Sequence, residues 1–135
     1  MQKGSIKINF KDSKKPSIEM QLSNSNLWLT ENELARFFGV FVRKISAELN
    51  SIFKNGLLFE ADCIRYNRYM DKGLEKQTAL YSLEVLMFLS YRLDTFEAKI
   101  FREFLKSALH THLRKEKMPK MGIIWAYLPK DYCLN

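Results

Sequence analysis

The sequence predicts an α+β fold built on a corner of two helices, with a β-hairpin before it and a two-stranded ribbon and further helices after it. Three observations carry this. Residues 29–54 hold two runs of helix-spaced apolar side chains separated by Gly39. Residues 5–10 and 17–22 alternate apolar and polar, as half-buried strands do. Residues 63–81 read as strand on both sides of Asp71-Lys72-Gly73, which is turn chemistry.

The hairpin occupies residues 1–26. Ile6, Ile8 and Phe10 are expected to pair with Ile18, Met20 and Leu22 across a turn at Lys11–Pro16. Ser23-Asn24-Ser25-Asn26 leads into Leu27-Trp28-Leu29, where Trp28 reads as a core anchor. Thr30 and Glu33 have capping-box spacing for the first helix, whose buried face is Leu34, Ala35 and Phe38. Gly39 can end that helix in a left-handed conformation, and Val40 plugs the corner. The second helix buries Ile45, Leu49, Ile52 and Phe53, then stops at Asn55-Gly56. Leu57–Asp62 reads as a connector. The ribbon then runs Cys63–Met70 and returns Gln77–Tyr81.

Two helices follow within residues 82–116. Ser82 is placed to cap the first, with Leu83, Leu86, Met87 and Phe88 making it broadly apolar and therefore buried. Asp94-Thr95 breaks the chain and caps the second, Phe96–Lys115. The stripe of that helix (Ile100, Phe101, Phe104, Leu105, Ala108, Leu109, Leu113) is wide enough to suggest a homodimer as well as a core. Basic residues Arg114, Lys115, Lys117 and Lys120 close a single domain of residues 1–120. Segment 121–135, with Ile123-Ile124-Trp125-Ala126-Tyr127-Leu128, is expected to pack on the body or on a second subunit.

Composition limits the function. The chain has 135 residues, 47% of them hydrophobic, and a formal net charge of +7, which favours polyanionic partners. Cys63 and Cys133 have no metal or redox spacing and fit free thiols in a reducing compartment. No apolar run approaches the ~20 residues of a membrane span, and the N-terminus lacks a secretion signal's apolar core. A cytoplasmic protein is expected. His110 and His112 face different ways on a helix and make no metal pair. No nucleophile arrangement or phosphate loop stands out, so neither enzyme activity nor a cofactor or metal is expected.

The outer face of the second helix carries Arg43, Ala47, Asn50, Ser51 and Lys54, with Lys44 on its flank. Basic, small and amide side chains are the types that meet phosphates and base edges in a major groove. An ordinary helical hairpin with a solvated face is the plainer reading of the same residues. A ribbon straight after such a helix pair is the arrangement of a winged helix-turn-helix (29–54 the helices, 63–81 the wing). Arg65, Arg68, Lys72 and Lys76 make the ribbon basic, suited to phosphate or a minor groove, or to keeping a solvated edge from aggregating.

Several segments resemble the RhuM-like virulence-associated proteins of bacteria. These are Trp28-Leu29-Thr30, Leu34-Ala35, Phe38-Gly39-Val40, Ile45, Ile52-Phe53-Lys54-Asn55-Gly56, Tyr81-Ser82-Leu83-Glu84, Tyr91-Arg92-Leu93 and Phe101-Arg102. The resemblance covers roughly residues 27–110 and extends, more distantly, to the N-terminal modules of phage antirepressors. It implies a DNA-binding protein of mobile elements or pathogenicity islands. The family usually has Ser after Phe-Gly-Val, where this chain has Phe41. That substitution removes a cap and a phosphate-contacting hydroxyl.

The expected function is binding of double-stranded DNA in transcriptional or mobile-element regulation. The alternative is a protein-interaction module, an antirepressor-like adaptor that contacts another regulatory protein without touching DNA. Phe41 and the acidic Glu48 beside the groove face argue for that alternative.

Overall fold

The computed structural model describes residues 3–10 and 15–115. The expectations for Lys11–Lys14, for Lys117 and Lys120, and for segment 121–135 with Cys133 lie outside the described residues. The fold is α+β: the described residues form two antiparallel sheets of two strands each and five helices in the order β1(Ser5–Asn9), β2(Ser17–Gln21), α1(Glu31–Phe38), α2(Val42–Lys54), α3(Glu60–Cys63), β3(Ile64–Asp71), β4(Leu74–Tyr81), α4(Leu83–Arg92), α5(Phe96–Lys115). Packing divides it into two compact units, one ending at Phe104 and the other beginning at Leu105, within α5.

β1 and β2 pair as their alternation requires, with Ile6 opposite Met20 and Ile8 opposite Ile18. Phe10 and Leu22, expected to extend this pairing, lie beyond the strand ends and are exposed. The turn after β2 holds Asn24 and Ser25 at φ 52° and 62°, closed by reciprocal backbone bonds between Ser23 and Asn26. Paired positive φ values of this kind suit a tight turn, and Asn tolerates them better than most residues.

α1 begins with the expected capping box. The Glu33 N–H donates to Thr30 Oγ1 at 3.1 Å, and the Thr30 N–H donates back to Glu33 Oε1 at 3.1 Å. Burial alone would raise the Glu33 carboxyl, but the Lys3 ammonium and the Thr30 contacts hold it below its ordinary value. Gly39 ends the helix at φ 67°, and its N–H donates to the Ala35 carbonyl. A Cβ there would also stand 3.1 Å from Glu97 Oε2. α2 starts three residues later, with Phe41 at the N-cap and no side-chain cap.

The core of the first unit gathers where these helices meet α4 and the start of α5. Leu34, Phe38, Ile45, Ile52, Leu86, Leu89 and Phe101 are fully buried. Phe101 stands edge-on to Phe37 at 5.8 Å and to Phe38 at 6.4 Å between ring centroids, a favoured aromatic geometry. Arg102 closes the α4–α5 corner by donating to the Ser90 and Leu93 carbonyls. Thr95 caps α5 through the Ala98 N–H at 3.1 Å.

The structure corrects four local expectations. Leu57–Asp62 is not only a connector, because Glu60–Cys63 forms the single turn α3, with acidic Glu60 and Asp62 at its positive end. The returning strand starts at Leu74, not Gln77. Lys72 and Gly73 both take positive φ (51° and 79°), the two-residue turn that matches strand twist and carries pairing to Asp71 opposite Leu74. Ser82 stands at the N-cap of α4, but its hydroxyl makes no capping bond. The Leu83 N–H instead donates to Asn26 Oδ1 at 3.1 Å, and the Leu27 N–H donates to the same oxygen at 2.7 Å. Finally, Met87 and Phe88 are exposed, because Val85, Leu86 and Leu89 form the inward face of α4. On α5, Ile100 and Phe101 are buried, Phe104, Leu105 and Leu113 are half-buried, and Ala108 and Leu109 are exposed.

No helix among the described residues is long and apolar enough to cross a membrane.

Candidate nucleic-acid interface

The ribbon is rooted next to α1. Leu29, just before that helix, exchanges two backbone bonds with Tyr81 at the end of β4, at 3.0 and 2.7 Å. Tyr81 is then tied to both helices of the corner. Its hydroxyl donates to Glu31 Oε1 at 3.1 Å, and Ser46 Oγ of α2 donates to Glu31 Oε2 at 2.8 Å. Burial pushes the Tyr81 phenol far above its ordinary range, and the Glu31 carboxylate adds to the shift. The phenol therefore stays protonated and keeps donating. This brace, with the Phe53 ring 6.5 Å from that of Tyr81, sets the base of the ribbon against α2.

Register sorts the ribbon's side chains, since directly opposed residues share a face. Ile64, Tyr66, Arg68 and Met70 lie on one face with Tyr81, Ala79, Gln77 and Glu75; Arg65, Asn67, Tyr69 and Asp71 lie on the other with Leu80, Thr78, Lys76 and Leu74. The first face adjoins α2. A concavity of about 450 Å³ is lined by Asn50, Phe53 and Lys54 from α2, by Ile64, Tyr66 and Tyr81 from the ribbon, and by Glu31 and Glu60. Tyr66 is 56% exposed and Met70 68%. Neither drew notice in the sequence, although their period-two spacing with Arg68 was visible there.

The ten residues singled out in the sequence separate into two sets. Arg43, Ala47, Asn50 and Lys54 are exposed along the outer face of α2, and Arg68 and Lys72 are exposed on the ribbon face and tip. Arg43, Lys54, Arg68 and Lys72 have no ion-pair or hydrogen-bond partner among the described residues. The others are engaged. Lys44 bonds Glu48 at 3.1 Å, one turn along α2. Ser51 Oγ accepts from Arg92 at 2.8 Å and from Asn55 at 3.3 Å. Lys76 bonds Asp71 at 2.8 Å. Arg65 stacks on the Trp28 ring, 4.3 Å from its centroid, on the ribbon face opposite Arg68. A guanidinium over an indole is held by the ring's negative face.

Glu48 is paired on both sides. Its side chain is only 15% exposed and bonds both Lys44 and Arg92, the latter at 2.6 Å. The Arg92 bond, helped by Lys44, holds its carboxyl below the usual range. Lys44, Glu48 and Arg92 together leave one net positive charge on that flank. Among the described residues, no three His, Cys, Asp or Glu side chains group closely enough to hold a metal ion.

Comparison of the chain with protein families, with curated proteins and with solved structures returned no match.

Proposed function

We propose that this protein is a winged helix-turn-helix that binds double-stranded DNA as a transcriptional or mobile-element regulator. In this reading α2 enters the major groove and the β3–β4 wing follows the adjacent backbone. The observation that carries it is a set of exposed cations, without partners among the described residues, on two adjoining elements. Arg43 and Lys54 stand on the outer face of α2, and Arg68 and Lys72 stand on the wing's α2-side face and tip. Asn50 and Ala47 between them have the amide and small side chains that approach base edges. The resemblance to RhuM-like proteins supports the same reading.

Salt dependence tests it with a number. Four neutralised phosphates give a log–log slope of about −3.6, and all seven cations singled out in the sequence would give about −6.3. The smaller slope is expected, because Lys44, Arg65 and Lys76 already have partners within the chain. Affinity for a labelled random duplex, followed by fluorescence anisotropy, should fall about 150-fold between about 50 and 200 mM salt. Arg43→Glu/Lys44→Glu should abolish binding. No binding at about 50 mM would refute the reading.

The second reading, a protein-interaction module, is favoured by one observation. Met87, Phe88 and Tyr91, the last 68% exposed, leave an apolar strip along the outside of α4. A homodimer or a regulatory protein would cover such a strip, and in this reading the cations of α2 are only a solvated face.

A further inference from the structure

Phe41 is 88% exposed, more than any other large apolar side chain among the described residues. It occupies the N-cap of α2 in extended conformation, φ −72° and ψ 148°. Its carbonyl accepts from the Lys44 N–H at 3.0 Å and the Ile45 N–H at 3.3 Å, so the backbone at this corner is well formed. The side chain, however, neither fills the core nor caps the helix, the two services a residue at this position can give its own fold. Val42 beside it is partly exposed too, and the unpartnered Arg43 follows. An apolar group therefore stands at the end of α2 from which a groove-inserted helix reads base edges.

A major groove offers such a group one kind of apolar partner. The base edges present hydrogen-bond donors and acceptors, and the C5-methyl of thymine. Cytosine methylated at C5 presents the same methyl. We infer that Phe41 is a specificity-determining residue that reads a pyrimidine C5-methyl in the major groove. This inference rests on the DNA-binding reading above.

The test uses the full chain and duplexes selected on it from a random-core pool. A selected duplex is resynthesised with deoxyuridine in place of each thymine in turn, which deletes only the methyl. Wild type should bind about fourfold more weakly at one or two positions, the worth of one apolar carbon. Cytosine and 5-methylcytosine at those positions show whether the methyl is read on either base. Phe41→Ala should bind the thymine and deoxyuridine duplexes alike. Because Phe41 is exposed, its thermal midpoint should stay at the wild-type value. If no thymine is sensitive, or if Phe41→Ala keeps the sensitivity, the inference falls while DNA binding stands. Equal binding of unselected thymine and deoxyuridine pools, with no sequence enriched, overturns it as well. Absence of all DNA binding overturns both.

Discussion

Asn26→Ala should destabilise the first unit by about 2–4 kcal/mol, because two backbone N–H groups lose their acceptor at once and each orphaned donor costs about 1–3 kcal/mol. Leu27, one of the two donors, is fully buried, so water cannot readily replace the carboxamide oxygen. The other, Leu83 N–H at 3.1 Å, is an otherwise unpaired donor in the first turn of α4. Asn26→Asp keeps an oxygen at this place, and a negative charge there favours the helix start. It should stay within about 1 kcal/mol of wild type. Ser82→Ala is the informative control. A serine that caps a helix costs about 0.5–2 kcal/mol on truncation. The Ser82 hydroxyl makes no capping bond and is buried without a partner among the described residues, so its removal should leave stability unchanged or raise it by about 1 kcal/mol. Urea unfolding followed by far-UV circular dichroism measures all three. An Asn26→Ala variant indistinguishable from wild type, or a Ser82→Ala variant that loses more than about 1 kcal/mol, would refute the reasoning.

Other outcomes follow from the same contacts. Gly39→Ala should cost about 1–2 kcal/mol in urea unfolding, since φ 67° penalises any Cβ and the new methyl would press on Glu97. Glu48 and Glu33 titrate below the ordinary carboxylate value of 4.5 in the folded chain, so the unfolded chain takes up their protons first. Their stabilisation is complete above that value and is lost as pH falls through the folded ones, so the thermal midpoint should drop less between pH ~5 and ~3 in Glu48→Gln than in wild type. Arg65 and Arg68 should behave differently. Arg68→Ala should weaken duplex binding and reduce the salt slope by about 0.9. Arg65→Ala should leave the slope unchanged and lower stability by about 0.5–1 kcal/mol through the lost Trp28 stack.

What was legible in the sequence was local. The Thr30–Glu33 capping box, the Gly39 corner and the buried faces of α1 and α2 depend on residues within a turn or two of each other, and they formed as expected except that Phe53 is only half-buried. The faces of the hairpin followed from alternation, but its register did not, and Phe10 and Leu22 stayed unpaired beyond the strand ends. The missing cap at Phe41 was visible for the same reason. What was hidden depends on distance along the chain. Asn26 serves a helix 57 residues away, and Glu48 meets an arginine 44 residues on. α3 is four residues long, too short to show a period. The two faces of the ribbon could not be ranked, because both are largely polar and exposed away from its base. Only the register and the packing of Tyr81 and Trp28 separate Arg68 from Arg65.

Amide chemical-shift mapping reads directly which surface, if any, meets DNA. A short random-sequence duplex would be titrated into the isotope-labelled full chain at low salt. If α2 and the β3–β4 ribbon meet DNA, the largest shifts fall on Phe41, on residues 42–54 of α2 and on residues 66–73 of the ribbon, while the outer strip of α4 at Met87, Phe88 and Tyr91 stays still. Shifts confined to α4 or α5, or none at all, would contradict the DNA-binding reading and move attention to the interaction-module reading.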